Sequence, residues 1–385
     1  MKVIKKTTKF TLLLLSMLTM MSNVAIVTML PHLSSIFKDV ENIELLSRLM
    51  ITLPSLAIAF LAPFLGHFIY RFGKKKAAIV ALVGFSLFGT AGLYLQSIYE
   101  ILFSRFLFGI AIAVLMIVST SLVGDYFKNE ARHKFMGLQS AFMSVGGIVF
   151  IVGGGLLSDI SWHYPFAIYF LGLIVLVFVL KYLLEDKNAS MESEEDEHLL
   201  KHNLWYIYLL GFVLMLLFYI LPTQMPFLMI NIFGASGTLT GAIIAMAFIF
   251  NALGALSFAK LKQKFSFKQI YIIGMFILAM GFGLIGLVKD VNLFFLTSPI
   301  MGFGGGLLMA NMTTWMLSVS HHQKRVRSSA YLTSALFFGQ FCSPIFTHPL
   351  VEYFGVQDFF IVTALIVLIV LTFYFAYSKL KQTIF

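Results

Sequence analysis

The sequence predicts an all-α polytopic membrane protein with twelve transmembrane helices in two six-helix parallel repeats. Three observations carry that expectation. Of the 385 residues, 59% are hydrophobic and only 11% are charged, whereas a soluble domain keeps about a quarter of its residues charged. The apolar residues gather into runs of about 20, the length that crosses a hydrocarbon core. The basic residues, which leave a net charge of +10, sit in short clusters between those runs. They do not form the single patch expected of a nucleic-acid-binding surface.

The runs fall near residues 10–32, 46–69, 77–97, 99–122, 135–157 and 165–184, then near 204–227, 239–259, 269–288, 292–316, 329–350 and 358–378. Nothing between them is long enough to form a soluble domain. The first stretch, MKVIKKTTKFTLLLLSMLTMM, has the basic-then-apolar order of a secretory signal. Its apolar run continues to Leu30 without a small-x-small cleavage site, so it reads as an uncleaved first span. Of the 27 basic residues, all but Lys38, Arg48, Arg105 and Lys289 fall in segments that alternate onto one face. The excess of Lys and Arg on cytoplasmic loops then predicts that both termini are cytoplasmic, in a bacterial-type inner membrane. The single cysteine, Cys342, rules out an intramolecular disulfide framework and lies in an apolar run as a small packed side chain.

The chain repeats itself at an offset of 193 residues: Gly109 corresponds to Gly302, Met116 to Met309, Thr120 to Thr313, Gly146 to Gly339 and Phe166 to Phe359. Arg71-Phe72 corresponds to Lys264-Phe265 at equivalent turns, and Arg132 to Arg325. Near the first helix of each half the offset becomes 195, with Thr28, Pro31 and Leu33 matching Thr223, Pro226 and Leu228. The predicted organisation is a helical bundle over 1–184, a cytoplasmic linker over 185–203, and a second bundle over 204–385. Parallel repeats of this kind place a transport site at their interface near the bilayer midplane. The linker is strongly charged, and His198 and His202, four residues apart, read as part of its solvated face rather than as metal ligands.

The segment GHFIYRFGKKK (66–76) resembles the loop between helices two and three of the major facilitator superfamily, G-x-x-x-D-R-x-G-R-K. Gly66, Arg71, Gly73, Lys74 and Lys75 match. Two glycines suit a tight turn, and the cations suit a headgroup anchor. Where the family has Asp, this chain has Tyr70. The resemblance implies that this Asp helps to latch the cytoplasmic gate, a charge that Tyr70 does not supply. LFSRFLFG (102–109) resembles the family's L-x-x-R-x-x-x-G motif. GGIVFIVGGG (146–155), with Gly146, Gly154 and Gly155, is similar to the Gly-rich fifth helix of antiporters, although the usual Gly-Pro pair is replaced by Phe150-Ile151. GDYFKNEARHKFMGLQ (124–139) and SWHYPF (161–166) look like loops of drug:proton antiporters. The resemblance implies the major facilitator fold and an exporter, and it does not extend to a substrate.

The remaining chemistry is sparse. GFGLIG (281–286) fits a dinucleotide pattern but lies inside an apolar helix rather than between strand and helix, so it reads as helix packing. GFGGG (302–306), with Gly302 and Gly304, either bends a cavity-lining helix or admits a neighbour. No Walker-type phosphate loop occurs in the sequence, which directs the energy source toward an ion gradient. No carboxylate lies at a span centre: Glu100, Asp125, Asp159, Glu352 and Asp358 all lie near span ends, as do His32, His67, His163 and His348. Asp125 is the first candidate for a proton carrier, weighed against a surface carboxylate that balances Arg132. Asn23, Gln224, Asn251, Asn311 and Gln340 are the polar groups near mid-membrane, each able to bond a substrate or another helix. Met20, Met21, Tyr219 and Met309 are candidates for a cavity lining that tolerates varied shapes. Arg105 is expected to face the central cavity, because its repeat equivalent is Ser298 and the architecture therefore does not demand a cation there; the alternative is that it bonds backbone carbonyls or polar groups of neighbouring helices.

The expected function is alternating-access secondary transport, with proton-coupled export of small amphipathic or hydrophobic compounds. Two other readings stand beside it: a dedicated exporter or importer of one metabolite, such as a siderophore or sugar, and a non-transporting membrane sensor or scaffold. No nucleophile–base pair or metal constellation supports an enzyme, and no cofactor is expected. The expected partners are a small-molecule substrate, protons and the lipid bilayer, with no nucleic acid, and the working unit is a monomer.

Overall fold

The computed structural model describes residues 4–127, 129–183, 204–320 and 325–384. Within these, the side chains of Met20, Met21, His67, Tyr70, Arg132 and Arg325 are among those outside the description, as is the whole 185–203 linker with His198 and His202. The described residues form helices and short turns, with no strand among them.

Twelve helical segments follow the twelve apolar runs. The first half contains α1 (Lys6–Val24, continued by turns and Leu30–Ile36), α2 (Ile43–Phe72), α3 (Lys74–Gly89), α4 (Ile98–Tyr126), α5 (Asn129–Ile160) and α6 (Leu171–Tyr182, entered through a 3-10 stretch Tyr164–Phe170). The second half contains α7 (Trp205–Phe218, resuming as Ile220–Phe227 and Leu228–Ile232), α8 (Gly237–Lys262), α9 (Phe267–Leu287), α10 (Phe294–Val319), α11 (Arg325–Phe354) and α12 (Val356–Ile384). Ten of the segments are long and apolar enough to cross a membrane. The other two are α1, interrupted after Val24, and α11, which carries Arg325, Arg327, His348 and Glu352.

The helices pack as the sequence repeat predicts. Gly109 of α4 lies so close to α2 that a Cβ there would stand 2.5 Å from the Pro54 carbonyl oxygen, and Gly302 of α10 lies closer still to the Ala247 carbonyl of α8. Pro54 and Ala247 share the 193-residue offset of the two glycines. Gly146 meets Met17 of α1, and Gly339 meets Phe212 of α7, a pair related by the 195-residue offset of the first helices. Small residues thus bring the same helix pairs together in both halves, as lipid-embedded helices require when no hydrophobic effect drives them together.

Because the chain alternates across the layer, the N-terminus, the 72–74 turn and the 262–267 turn lie on one face, called here the terminal face. The 36–43, 160–164 and 232–237 turns lie on the opposite, distal face. Gly73 makes the 72–74 turn, with φ at +98°, a conformation that is readily accessible only to glycine. Gly66 does not contribute to it, since it lies inside the continuous helix α2.

Candidate substrate and gating site

The first helices of the two halves are both broken, at equivalent places. In α1 the helix stops at Val24 and resumes through a 3-10 turn at Val27–Met29, with Pro31 in the first turn of the restart. In α7 it stops at Phe218 and resumes at Ile220. Pro222 has no N–H to return to the Phe218 carbonyl, and Pro226 has none for the Pro222 carbonyl, so the regular ladder fails there. Broken helices at the interface of parallel repeats are where transporters build their sites, because irregular backbone at membrane depth is tolerated only inside protein or beside a cavity.

The two breaks meet. Asn23 Nδ2 donates to the Tyr219 hydroxyl at 3.2 Å, and Gln340 of α11 stands beside the same hydroxyl. Two polar atoms of this trio are buried and have no hydrogen-bond partner among the described residues: Asn23 Oδ1, an acceptor, and Gln340 Nε2, a donor. Leaving such groups unmade costs about 1–3 kcal/mol each. An unmade acceptor and an unmade donor at such a junction are groups that a ligand or an ordered water can satisfy. Three candidates from the sequence, Asn23, Tyr219 and Gln340, are thereby brought to one place.

Toward the distal face the two groups are tied together. Asp159, at the end of α5, accepts from the backbone amides of Gly237 and Thr238 and from the Thr238 hydroxyl, its bond to Thr238 N measuring 2.9 Å. An anion at the start of α8 also suits the helix dipole. Beside it, Gly155 packs directly on Gly237, where a Cβ would stand 2.8 Å from the carbonyl carbon. Across the molecule, Arg48 of α2 reaches α7: its Nε donates to Gln224 Oε1 at 3.0 Å, its Nη1 meets Glu44 at 3.0 Å, and its guanidinium lies 4.1 Å from the Phe227 ring centre. Gln224 in turn donates to Thr347 of α11 at 3.2 Å. This corner encloses a cavity of about 490 Å³ whose walls include Arg48, Phe227, His348 and Glu352.

The other sequence candidates have different surroundings. Arg105 does not face a cavity. It is fully buried within the first six helices, with Nε donating to the Met50 carbonyl at 3.2 Å, Nη2 3.4 Å from the Tyr169 hydroxyl, and the guanidinium 4.2 Å from the Phe108 ring centre. The geometry instead sets the planar cation against a carbonyl, a phenol and ring faces between helices. Asp125 pairs with Lys74 at 2.7 Å, a bond between the first residue of α3 and the end of α4 that answers the search for its balancing cation. Lys75 bonds the Leu180 carbonyl at 3.0 Å. These two lysines therefore bond protein groups instead of serving only as headgroup anchors, while Arg71 is exposed at the end of α2. Asn311 ties α10 to the start of α9 through the Phe267 carbonyl at 3.1 Å. Asn251 lies against Gly305 and Gly306 of α10. Gly154 packs on Ala25, Gly302 on α8 and Gly304 on α9, so the α10 glycines serve close helix packing on both sides. Met309 is half-buried.

Sequence reasoning missed Arg48. The sequence sets it only among the four basic residues off the cytoplasmic clusters. The available signal was its spacing from Glu44, one helical turn away, which allows an ion pair to enter the membrane together.

The comparisons with known proteins bear on the family and the fold. The sequence profile of the Major Facilitator Superfamily matches residues 12–229 and 207–383. Multidrug resistance protein 2 of Bacillus subtilis (strain 168) is 32% identical over 166 residues, 40% of this chain and 40% of the relative. Tetracycline resistance protein, class B, of Escherichia coli is 27% identical over 185 residues, 48% of this chain and 46% of the relative. Each of these matches spans less than half of the relative's own length. In fold, the chain resembles the crystal structure of a bacterial homologue of the human lysosomal transporter Spinster in an inward-facing, unoccupied conformation. The TM-score is 0.78 over 98% of each chain, at 16% identity. With the profile matching nearly end to end and the helices arranged as in that transporter, the chain belongs to the Major Facilitator Superfamily of membrane transporters.

Proposed function

We propose that the chain exports small amphipathic compounds in exchange for protons, with both termini cytoplasmic and the two six-helix bundles rocking about the substrate site at Asn23, Tyr219 and Gln340. The observation that carries this reading is the unmade acceptor and donor at the junction of the broken helices α1 and α7. A compound with one polar group can satisfy them while its apolar body rests on the surrounding helices, and few fixed polar contacts allow many shapes. The direction rests on similarity to a multidrug resistance protein and a tetracycline resistance protein. In this reading the distal contacts of Asp159 and Arg48 are the closed outer gate, and the site is reached from the terminal, cytoplasmic face.

The test is transport by the purified protein in liposomes under an imposed pH gradient, with tetracycline and a hydrophobic fluorescent dye as cargoes. The expected result is gradient-driven movement of both, abolished by a protonophore and reduced at least several-fold in Tyr219→Phe, which removes the hydroxyl that Asn23 bonds. Movement of a single metabolite alone would favour a dedicated carrier, and no movement of any cargo would sink the reading.

A further inference from the structure

Two pairs of helices close the distal face, α5 against α8 and α2 against α11, and the repeat makes them comparable residue by residue. At the 193-residue offset Asp159 corresponds to Glu352, Gly155 to His348, and Gly237 to Glu44. In the first pair the carboxylate takes the amides at the start of α8 and glycine meets glycine, so the helices touch. In the second pair the position facing Glu352 is another carboxylate, Glu44, and an imidazole stands where the glycine would be. The helices cannot close in the same way, and the cavity of about 490 Å³ opens between them.

Its charged and titratable lining comes from two helices. Glu44 and Arg48 come from α2, and His348 and Glu352 from α11, while α7 and the start of α12 add the uncharged Phe227, Asn231 and Val356. Arg48 is 1% exposed and held at its inner end by Gln224. His348 is 8% exposed, and its Nδ1 has no hydrogen-bond partner among the described residues.

We propose that this cavity is the site where the exchanged proton binds, on His348 or Glu352, in competition with the guanidinium of Arg48. Glu44 and Arg48 sit on one helix, 3.0 Å apart, so they move together. Across the cavity Arg48 also feels the negative charge of Glu352 at longer range, an attraction between α2 and α11. A proton on Glu352 removes the attraction, and a proton on His348 sets an imidazolium beside the guanidinium. Both weaken the same attraction, so protonation from the distal side loosens the gate; the proton is carried as the bundles rock and leaves toward the terminal face, and its loss restores the pull of Glu352 on Arg48 that keeps the distal gate closed. The α5–α8 pair has no such exchange of partners, because its carboxylate is held by backbone amides that are always present.

The inference rests on the proposed proton exchange and adds its location. The test uses spin labels at Glu41 and at Tyr353, which is 82% exposed, in a Cys342→Ser background of the full chain, reconstituted without substrate or gradient. Between pH 8 and pH 5 the wild-type label distances are expected to shift toward an open gate, with the open fraction rising several-fold. His348→Gln combined with Glu352→Gln should hold the distribution constant over that range. Glu352→Gln alone, on an exposed side chain that tolerates change, should at least displace the midpoint. Wild-type distances insensitive to pH, or a pH response retained in the double variant or undisplaced in Glu352→Gln, would overturn the site. If gradient-driven dye transport persists in a double variant whose gate no longer responds, the proton binds elsewhere. That result also overturns the site and leaves the proton-exchange reading standing, whereas a wild type that moves no cargo counts against the reading itself.

Discussion

Arg105 Nε donates to the Met50 carbonyl at 3.2 Å, and Ser298 Oγ donates to the Ile243 carbonyl at 3.1 Å. Each pair is separated by 55 residues in the chain, and the two pairs are related by the repeat offset of 193. In each half the same position of the fourth helix is pinned to the same position of the second. A serine suffices in one half. In the other an arginine makes the bond and also reaches Phe108 and Tyr169.

Arg105→Ala is therefore expected to destabilise the fold before it affects any transport step. Losing the bonds to Met50 and Tyr169 together with the ring contacts costs on the order of 2–4 kcal/mol. The checking measurement is thermal unfolding of the purified protein in detergent, where a clear drop in Tm and in folded yield is expected. An Arg105→Ala protein with unchanged Tm but no transport would instead put this residue back in the substrate path.

Gly155→Ala should hold the distal gate open. A Cβ at Gly155 meets the Gly237 backbone, which has no flexible side chain to yield, whereas one at Gly153 meets nothing within 4 Å. Distances between labels at the distal ends of α5 and α8 are expected to lengthen in Gly155→Ala and to match wild type in Gly153→Ala. Equal behaviour of the two variants would remove the close glycine approach from the gating account.

Lys74 and Asp125, at 2.7 Å and each about 15% exposed, tie α3 to α4 at the terminal face. If they act as a pair, Lys74→Ala, Asp125→Ala and the double variant should lose similar stability, with a coupling of roughly 1–2 kcal/mol in a double-mutant cycle. Additive losses would mean that each acts alone.

The helix pattern was legible because lipid leaves the backbone few choices, and a run of about 20 apolar residues has essentially one structure available to it. The repeat was legible too, and Gly109 and Gly302 pack on equivalent residues as it implies. The break in α7 was not read, although Pro222 and Pro226 mark it, since prolines are common enough in membrane helices to pass unnoticed. Among the polar candidates the sequence named Asn23, Tyr219 and Gln340 separately without showing that they meet. That depends on where two discontinuous helices cross, and no local pattern encodes it. Arg105 and Arg48 mark the limit most plainly. A cation inside a span signals that something must offset its cost. Whether the partner is a carbonyl of the same bundle, as for Arg105, or a glutamine of the opposite one, as for Arg48, is decided by packing.

The exchange of a proton for a compound is the centre of the account, and it can be read without vesicles. Purified protein in weakly buffered detergent is mixed with an amphipathic compound that it binds, and the pH of the solution is recorded. If substrate and proton exclude one another, binding releases protons, and the release saturates with occupancy of the site. The account predicts release from the wild type and a weaker response in Tyr219→Phe at equal compound concentration. Binding that saturates with no change in solution pH across the range from pH 5 to pH 8 would contradict it.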